Sequence, residues 1–266
     1  VTGLGELFER TRAERRGALI GYLPAGYPDV AASKELLAAT LDAGADLVEV
    51  GVPYSDPVMD GPTIQAAADA ALKAGFRLKH LFEVVESLSA RGGRAVVMTY
   101  WNPVYRYGVD RFARDLASAG GLGLITPDLT PDEAGDWIAA SDAHGLDRIF
   151  LVAPSSSEER LHLTAGATTG FVYATAVMGV TGARDRVGSG AAELVRRTRA
   201  HTDLPIGVGL GVRSREQAAE VAGFADAVIV GSALVSRATE GTEAVRALTA
   251  ELAEGVRAPE PAAQPS

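Results

Sequence analysis

The stretch DLVEVGVPYSDPVMDGPTI, residues 46–64, opens on an apolar run with a glutamate, Glu49, at its centre. Residues 46–52 read as a short buried strand, where a lone carboxylate costs several kcal/mol unless it is neutralised or paired. The same kind of run recurs along the chain. GALIGYLP (17–24), RAVVMTY (94–100), GLGLITPD (121–128), RIFLVAP (148–154), GFVYATA (170–176), PIGVGLG (205–211) and AVIVGSAL (227–234) bring the count to eight. Between them apolar residues fall at helical spacing, as in Leu36, Leu37 and Leu41, or Phe82, Val85 and Leu88. Strands that alternate with helices demand a parallel sheet, and continuous apolar runs mean that both faces are covered. Eight such units in 266 residues favour closure, because roughly 250 residues is the usual size of a (β/α)8 barrel. A doubly wound open sheet is the competitor. The expected fold is therefore α/β, a (β/α)8 TIM barrel, with an additional N-terminal helix over residues 2–12. One domain is expected over 1–257, and the Pro- and Ala-rich tail 258–266 is expected to be disordered. Gly44, Gly75, Gly92, Gly120, Gly145, Gly166 and Gly223 stand where helices should stop, and each is expected to take the left-handed conformation.

Composition narrows the chemistry. A net charge of −9 and a pI near 5.0 argue against a nucleic-acid or acidic-membrane partner, since the long-range field repels both. The absence of cysteine removes disulfides, thiolate metal sites and a cysteine nucleophile together. No secretory segment and no apolar run near 18 residues is read, so a cytoplasmic protein is expected. Lys34, Lys73 and Lys79 all fall in helical stretches, which leaves no strand-end amine for a Schiff base. His80, His144, His162 and His201 are scattered without ligand spacing, so no catalytic metal and no histidine base is expected.

In a barrel, chemistry sits at the C-terminal ends of the strands. Period-two alternation puts Leu47, Glu49 and Gly51 on one face of their strand and Val48 and Val50 on the other. If the first face is the lumen, burial raises the Glu49 pKa and lets it exchange protons near neutral pH. The competing reading is a glutamate ion-paired to the helical shell, although no lysine or arginine is read inside the strands to meet it. Asp60, before Gly-Pro, resembles a helix N-cap, and as a cap it would stay ionised. An ionised aspartate beside a titratable glutamate forms an acid/base pair. GVTG (179–182), GLG (209–211) and GS (231–232) offer converging glycine turns, each of them weak alone, in the place where this fold customarily holds phosphate.

LVEVGVPYSDPVMDGPTIQAA, MTYWNPVYRYG, PDLTPDE, GVTGAR, GVGLGV and VIVGSALV together resemble the tryptophan synthase alpha chain family, from about Gly17 to Leu234. The resemblance implies a metal-independent retro-aldol cleavage of indole-3-glycerol phosphate to indole and glyceraldehyde 3-phosphate. Glu49 and Asp60 stand at the two catalytic carboxylates of the family, Glu49 as the proton shuttle and Asp60 as acceptor for the indole N–H. Tyr22, Tyr100, Asp128, Tyr173 and Thr181 match substrate-side positions, and Gly182, Leu210, Gly211, Gly231 and Ser232 match phosphate-holding ones. Pro53, Asp56, Pro57 and Asn102 match regions facing a beta chain that carries pyridoxal phosphate, in an alpha-beta-beta-alpha heterotetramer; this chain itself is expected to hold no cofactor. Val177 and Met178 depart from the Arg-Ser-Gly or Arg-Thr-Gly that many members carry, so the contacts of that loop are expected to differ. Two other readings remain at this point: a stand-alone lyase releasing free indole, and a non-catalytic barrel that binds phosphate metabolites and regulates a partner.

Overall fold

A computed structural model describes residues 3–176 and 189–259. Its parallel strands are β1 (Ala18–Pro24), β2 (Leu47–Gly51), β3 (Ala95–Met98), β4 (Gly123–Ile125), β5 (Asp147–Ile149), β6 (Leu151–Val152), β7 (Val172–Thr175), β8 (Ile206–Gly209) and β9 (Ala227–Val230). They form one sheet in the order β5-β4-β3-β2-β1-β9-β8-β7-β6. β5 and β6 are two halves of a single stave, interrupted only at Phe150, so the first and last members of that order meet and the sheet closes. Eight staves result, as the eight apolar runs require.

Period-two alternation sorts the side chains of each stave between two cores. One face joins the helical jacket: Leu19, Leu23, Val48, Val50 and Val97 pack with Leu36, Leu37, Leu81 and Val84. The other fills the lumen, where Ile20, Leu47, Val96, Ile125, Ile149 and Phe171 cluster. Leu47 therefore fixes the face of Glu49, two residues on.

The extra helix, Gly3–Ala13, closes the bottom of this lumen. Leu4, Leu7 and Phe8 are buried in the lumen cluster, and the Phe8 ring meets Phe171 at 5.7 Å between centroids. Each such burial contributes about 1.5–3 kcal/mol. The plug is also latched electrostatically. Asp46 at the foot of β2 accepts from Arg16 at 2.7 and 2.8 Å, from Arg10 at 3.2 Å and from the Leu19 N–H at 3.0 Å.

Helix ends agree with the glycine expectation at five positions: Gly44, Gly75, Gly92, Gly120 and Gly145 have positive φ. Two expectations are corrected. Gly223 ends its helix with φ −70°, in the ordinary right-handed region. Gly166 lies inside Glu158–Ala167, which instead ends on extended Thr168, whose hydroxyl bonds back to the Thr164 carbonyl at 2.8 Å. A third correction concerns charge within the staves, since Arg148 sits in β5. It points into the jacket, donating to Ser141, Asp142 and the Ala167 carbonyl, and so offers Glu49 nothing.

Candidate active site

A cavity of about 520 Å³ opens at the C-terminal end of the barrel. Its floor follows from the lumen packing by simple counting. Two residues beyond Ile20, Leu47, Val96, Ile149 and Phe171 stand Tyr22, Glu49, Met98, Leu151 and Tyr173, and all five line the cavity. The alternation that builds the apolar core thus delivers one carboxyl and two phenols at the level where the core stops.

Glu49 is 1% exposed, and its Oε2 is buried without a hydrogen-bond partner among the described residues. Burial, and secondarily the charge of Asp60, pushes its pKa up to about 8. With the pKa raised in this direction, the neutral acid is the favoured form at pH 7. Asp60 lines the same cavity from the loop after β2. Its expected capping role is corrected: the helix Pro62–Lys73 has Gly61 as N-cap with Pro62 in its first position, so Asp60 lies one residue outside the helix. The expected direction of its pKa is corrected with it. No first-turn N–H holds the carboxylate down; burial raises its pKa, partly opposed by a hydrogen bond from the Tyr100 hydroxyl. Because the charge of Asp60 is what raises Glu49 further, Asp60 is the member that ionises first, and the two environments separate an anion from an acid.

The aromatic residues are held by backbone rather than by chance. Tyr22 neighbours Glu49 across β1 and β2, and its ring covers Gly51 so closely that a Cβ there would lie 2.3 Å from Oη. Tyr173 leans in the same way over Gly209 on β8, where an added Cβ would sit 2.6 Å from the hydroxyl. Both phenols are pushed well above their ordinary pKa, first by burial and then by the nearby carboxylates. Tyr100 stands one step back: its oxygen accepts the Met59 N–H at 2.9 Å while it serves Asp60, and its ring stacks on Tyr54 at 5.4 Å. Asp128 does not reach the cavity lining. It accepts the Trp101 N–H at 2.8 Å and thereby fixes the start of the helix Trp101–Tyr107.

Gly209, under the Tyr173 ring, and Gly231, against Tyr22, also line the cavity. Gly211 has φ +85°, a turn that favours glycine. Leu210, between them, is 5% exposed. Ser232 begins the helix Ser232–Ala238, whose N-cap Gly231 has no side chain to cap the first-turn N–H groups. Thr181 and Gly182, with Val177 and Met178, lie outside the described residues.

The match with the tryptophan synthase alpha chain family model spans residues 8–263. The chain is 66% identical over 254 residues to the tryptophan synthase alpha chain of Nocardia farcinica, covering 96% of each. It is 66% identical to that of Mycobacterium marinum, covering 96% of this chain and 94% of the other. A structure of Mycobacterium tuberculosis tryptophan synthase superposes with a TM-score of 0.92 at 63% identity, over 97% of this chain and 99% of that one. The chain belongs to the tryptophan synthase alpha chain family.

Of the positions expected to turn toward a beta chain, Asp56 and Asn102 are exposed, whereas Pro53 is buried. Pro57 is intermediate. Asn102 donates to the Tyr54 hydroxyl at 3.1 Å, which ties the loop after β2 to the helix Trp101–Tyr107. These two segments carry Val58, Met59 and Tyr105, large apolar residues 78%, 50% and 66% exposed. Reasoning from the sequence missed several lining residues of this alpha chain, among them Met59, Ile64, Met98, Leu151, Ala153 and Pro154. The signal for Met98 and Leu151 was present, since each lies two positions past a lumen residue. Among the described residues no helix is long and apolar enough to cross a membrane.

Proposed function

We propose that Glu49 and Asp60 carry the family reaction, cleavage of indole-3-glycerol phosphate to indole and glyceraldehyde 3-phosphate. The observation that carries this reading is the buried Glu49 carboxyl, its Oε2 without a hydrogen-bond partner among the described residues and its pKa near 8, beside a carboxylate that ionises first. Glu49 starts as a neutral acid and delivers its proton to C3 of the indole ring. The ring becomes a cationic electron sink, and Asp60 accepts the ring N–H and stabilises the developing charge. Glu49, now a carboxylate, takes the proton of the hydroxyl on the adjoining carbon. The C–C bond breaks, its electron pair returns to the ring, and the hydroxyl oxygen becomes the aldehyde oxygen. The proton count closes with Glu49 again protonated.

Tyr22 and Tyr173 flank the indole ring. The phosphate is held by main-chain amides at Leu210, Gly211, Gly231 and Ser232 together with Gly182, while Thr181 acts on the substrate side. The exposed apolar residues at 58, 59 and 105 support a docking face for a tryptophan synthase beta chain in an alpha-beta-beta-alpha assembly. Pyridoxal phosphate belongs to that beta chain, and the work is done in the cytoplasm. Incubating the purified chain with indole-3-glycerol phosphate, with and without a beta chain, and following indole tests the reading. Glu49→Gln and Asp60→Asn should each lower turnover by about two orders of magnitude or more while substrate still binds. Near-normal turnover in both variants would reject the assignment.

A further inference from the structure

Three oxygens from three residues converge on one guanidinium behind the cavity wall. The turn 153–156 follows β6 and closes on itself: the Ser156 N–H donates to the Ala153 carbonyl at 2.9 Å, and the Ala153 N–H donates to Ser156 Oγ at 3.0 Å. Its inner side carries Ala153 and Pro154, which line the cavity. Its outer side presents the Pro154 and Ser156 carbonyls. Arg197, from the helix Ser189–Arg199, donates to both, Nη1 to Pro154 O at 3.2 Å and Nη2 to Ser156 O at 2.6 Å. Its Nε donates to Glu158 at 2.7 Å, and the other oxygen of that carboxylate lies 2.8 Å from His201 Nε2. A planar fork fixed at three points holds its targets in one geometry, which a flexible ammonium does not. The stave of β5 and β6 stands four places from β1 around the ring of eight, so this turn faces Tyr22 across the cavity.

We propose that Arg197 is a positioning residue for substrate binding: by fixing the turn 153–156 it sets the apolar wall that opposes Tyr22, and so the width of the slot for a planar ring. The proposal rests on the reading of this cavity as the substrate site. Replacing the fork loosens the wall without touching Glu49 or Asp60, so the loss falls on KM.

The test compares Arg197→Gln, Arg197→Lys and Glu158→Gln with Arg196→Gln, whose neighbouring arginine pairs on the surface with Glu193. With indole-3-glycerol phosphate as substrate, Arg197→Gln should raise KM about tenfold with kcat within about twofold, and Arg197→Lys should fall between it and the parent. Glu158→Gln, which frees the arginine to turn, should shift KM in the same direction, and Arg196→Gln should leave both constants unchanged. A folded Arg197→Gln with the KM of Arg196→Gln overturns the proposal, as does one with a lower melting temperature and normal kinetics. Should Arg197→Gln fail to fold, an unchanged KM in both Arg197→Lys and Glu158→Gln overturns it. Failure of the cavity reading itself is distinct: there Glu49→Gln would turn over like the parent.

Discussion

Glu49→Gln should make the chain more stable while disabling it. The folded-state pKa, pushed up to about 8 from an ordinary 4.5, means that the folded chain holds this proton more tightly than the unfolded chain. The resulting stability is fully present below the ordinary value and is lost as pH rises through 8. Each pH unit in that window is worth about 1.4 kcal/mol. Glutamine does not titrate, so its advantage over the parent grows from about 1 kcal/mol at pH 5 to about 3 kcal/mol at pH 7 and levels near 5 kcal/mol above pH 8, on the scale of that linkage. Urea denaturation followed by circular dichroism at pH 5, 7 and 9, parent against variant, reads the gap directly. A gap that stays constant with pH, or a parent more stable than the variant at pH 9, would refute the reasoning. Under the proposed mechanism such a destabilising group is a trade of stability for activity.

Three further outcomes follow from the same geometry. Asp46→Asn should cost about 3 kcal/mol by stranding the buried Arg16 charge; because burial of Asp46 is outweighed by its bonds from Arg16 and Leu19, its pKa is lowered, and the parent's advantage in urea titrations should persist through neutral pH and vanish only as pH falls below the ordinary carboxylate range. Gly51→Ala forces the Tyr22 ring away from the 2.3 Å contact, so kcat/KM for indole release should fall about 100-fold, a displacement of roughly 1 Å being sufficient. Tyr100→Phe removes the bond that opposes the burial of Asp60; the acidic limb of the pH–rate profile should move upward and kcat/KM should fall about tenfold or more, on the scale of a hydrogen bond to a charged group.

The barrel was legible because each stave announces itself as an apolar run between helical patterns; alternation grouped Glu49 with Leu47, but both faces of the strand are apolar, and only the packing of Leu47 in the lumen cluster decides which way the carboxyl turns. The break at Phe150 was not legible, since Asp147–Val152 reads as one continuous run and only pairing separates its halves. Asp60 lines the expected cavity, but for a reason other than the one read from sequence. Pro62 already marks the first helical position, and the cap is the residue just before it, Gly61. That left the carboxylate outside the helix, where burial rather than capping sets its proton affinity. Asp128 was misplaced because a strand-end position in sequence does not say whether a side chain turns inward or, as here, sideways to a neighbouring helix start. Arg197 lay beyond sequence reasoning altogether: its targets are backbone carbonyls some 40 residues away.

Everything proposed for Glu49 depends on the acid at the top of β2 being protonated in the resting chain. Carbon-13 NMR of the chain labelled at glutamate carboxyl carbons, with Glu49→Gln identifying the resonance, measures this without substrate or partner. That signal should titrate with a midpoint near 8. A midpoint between 4 and 5, in the ordinary range of a solvated glutamate, would contradict it.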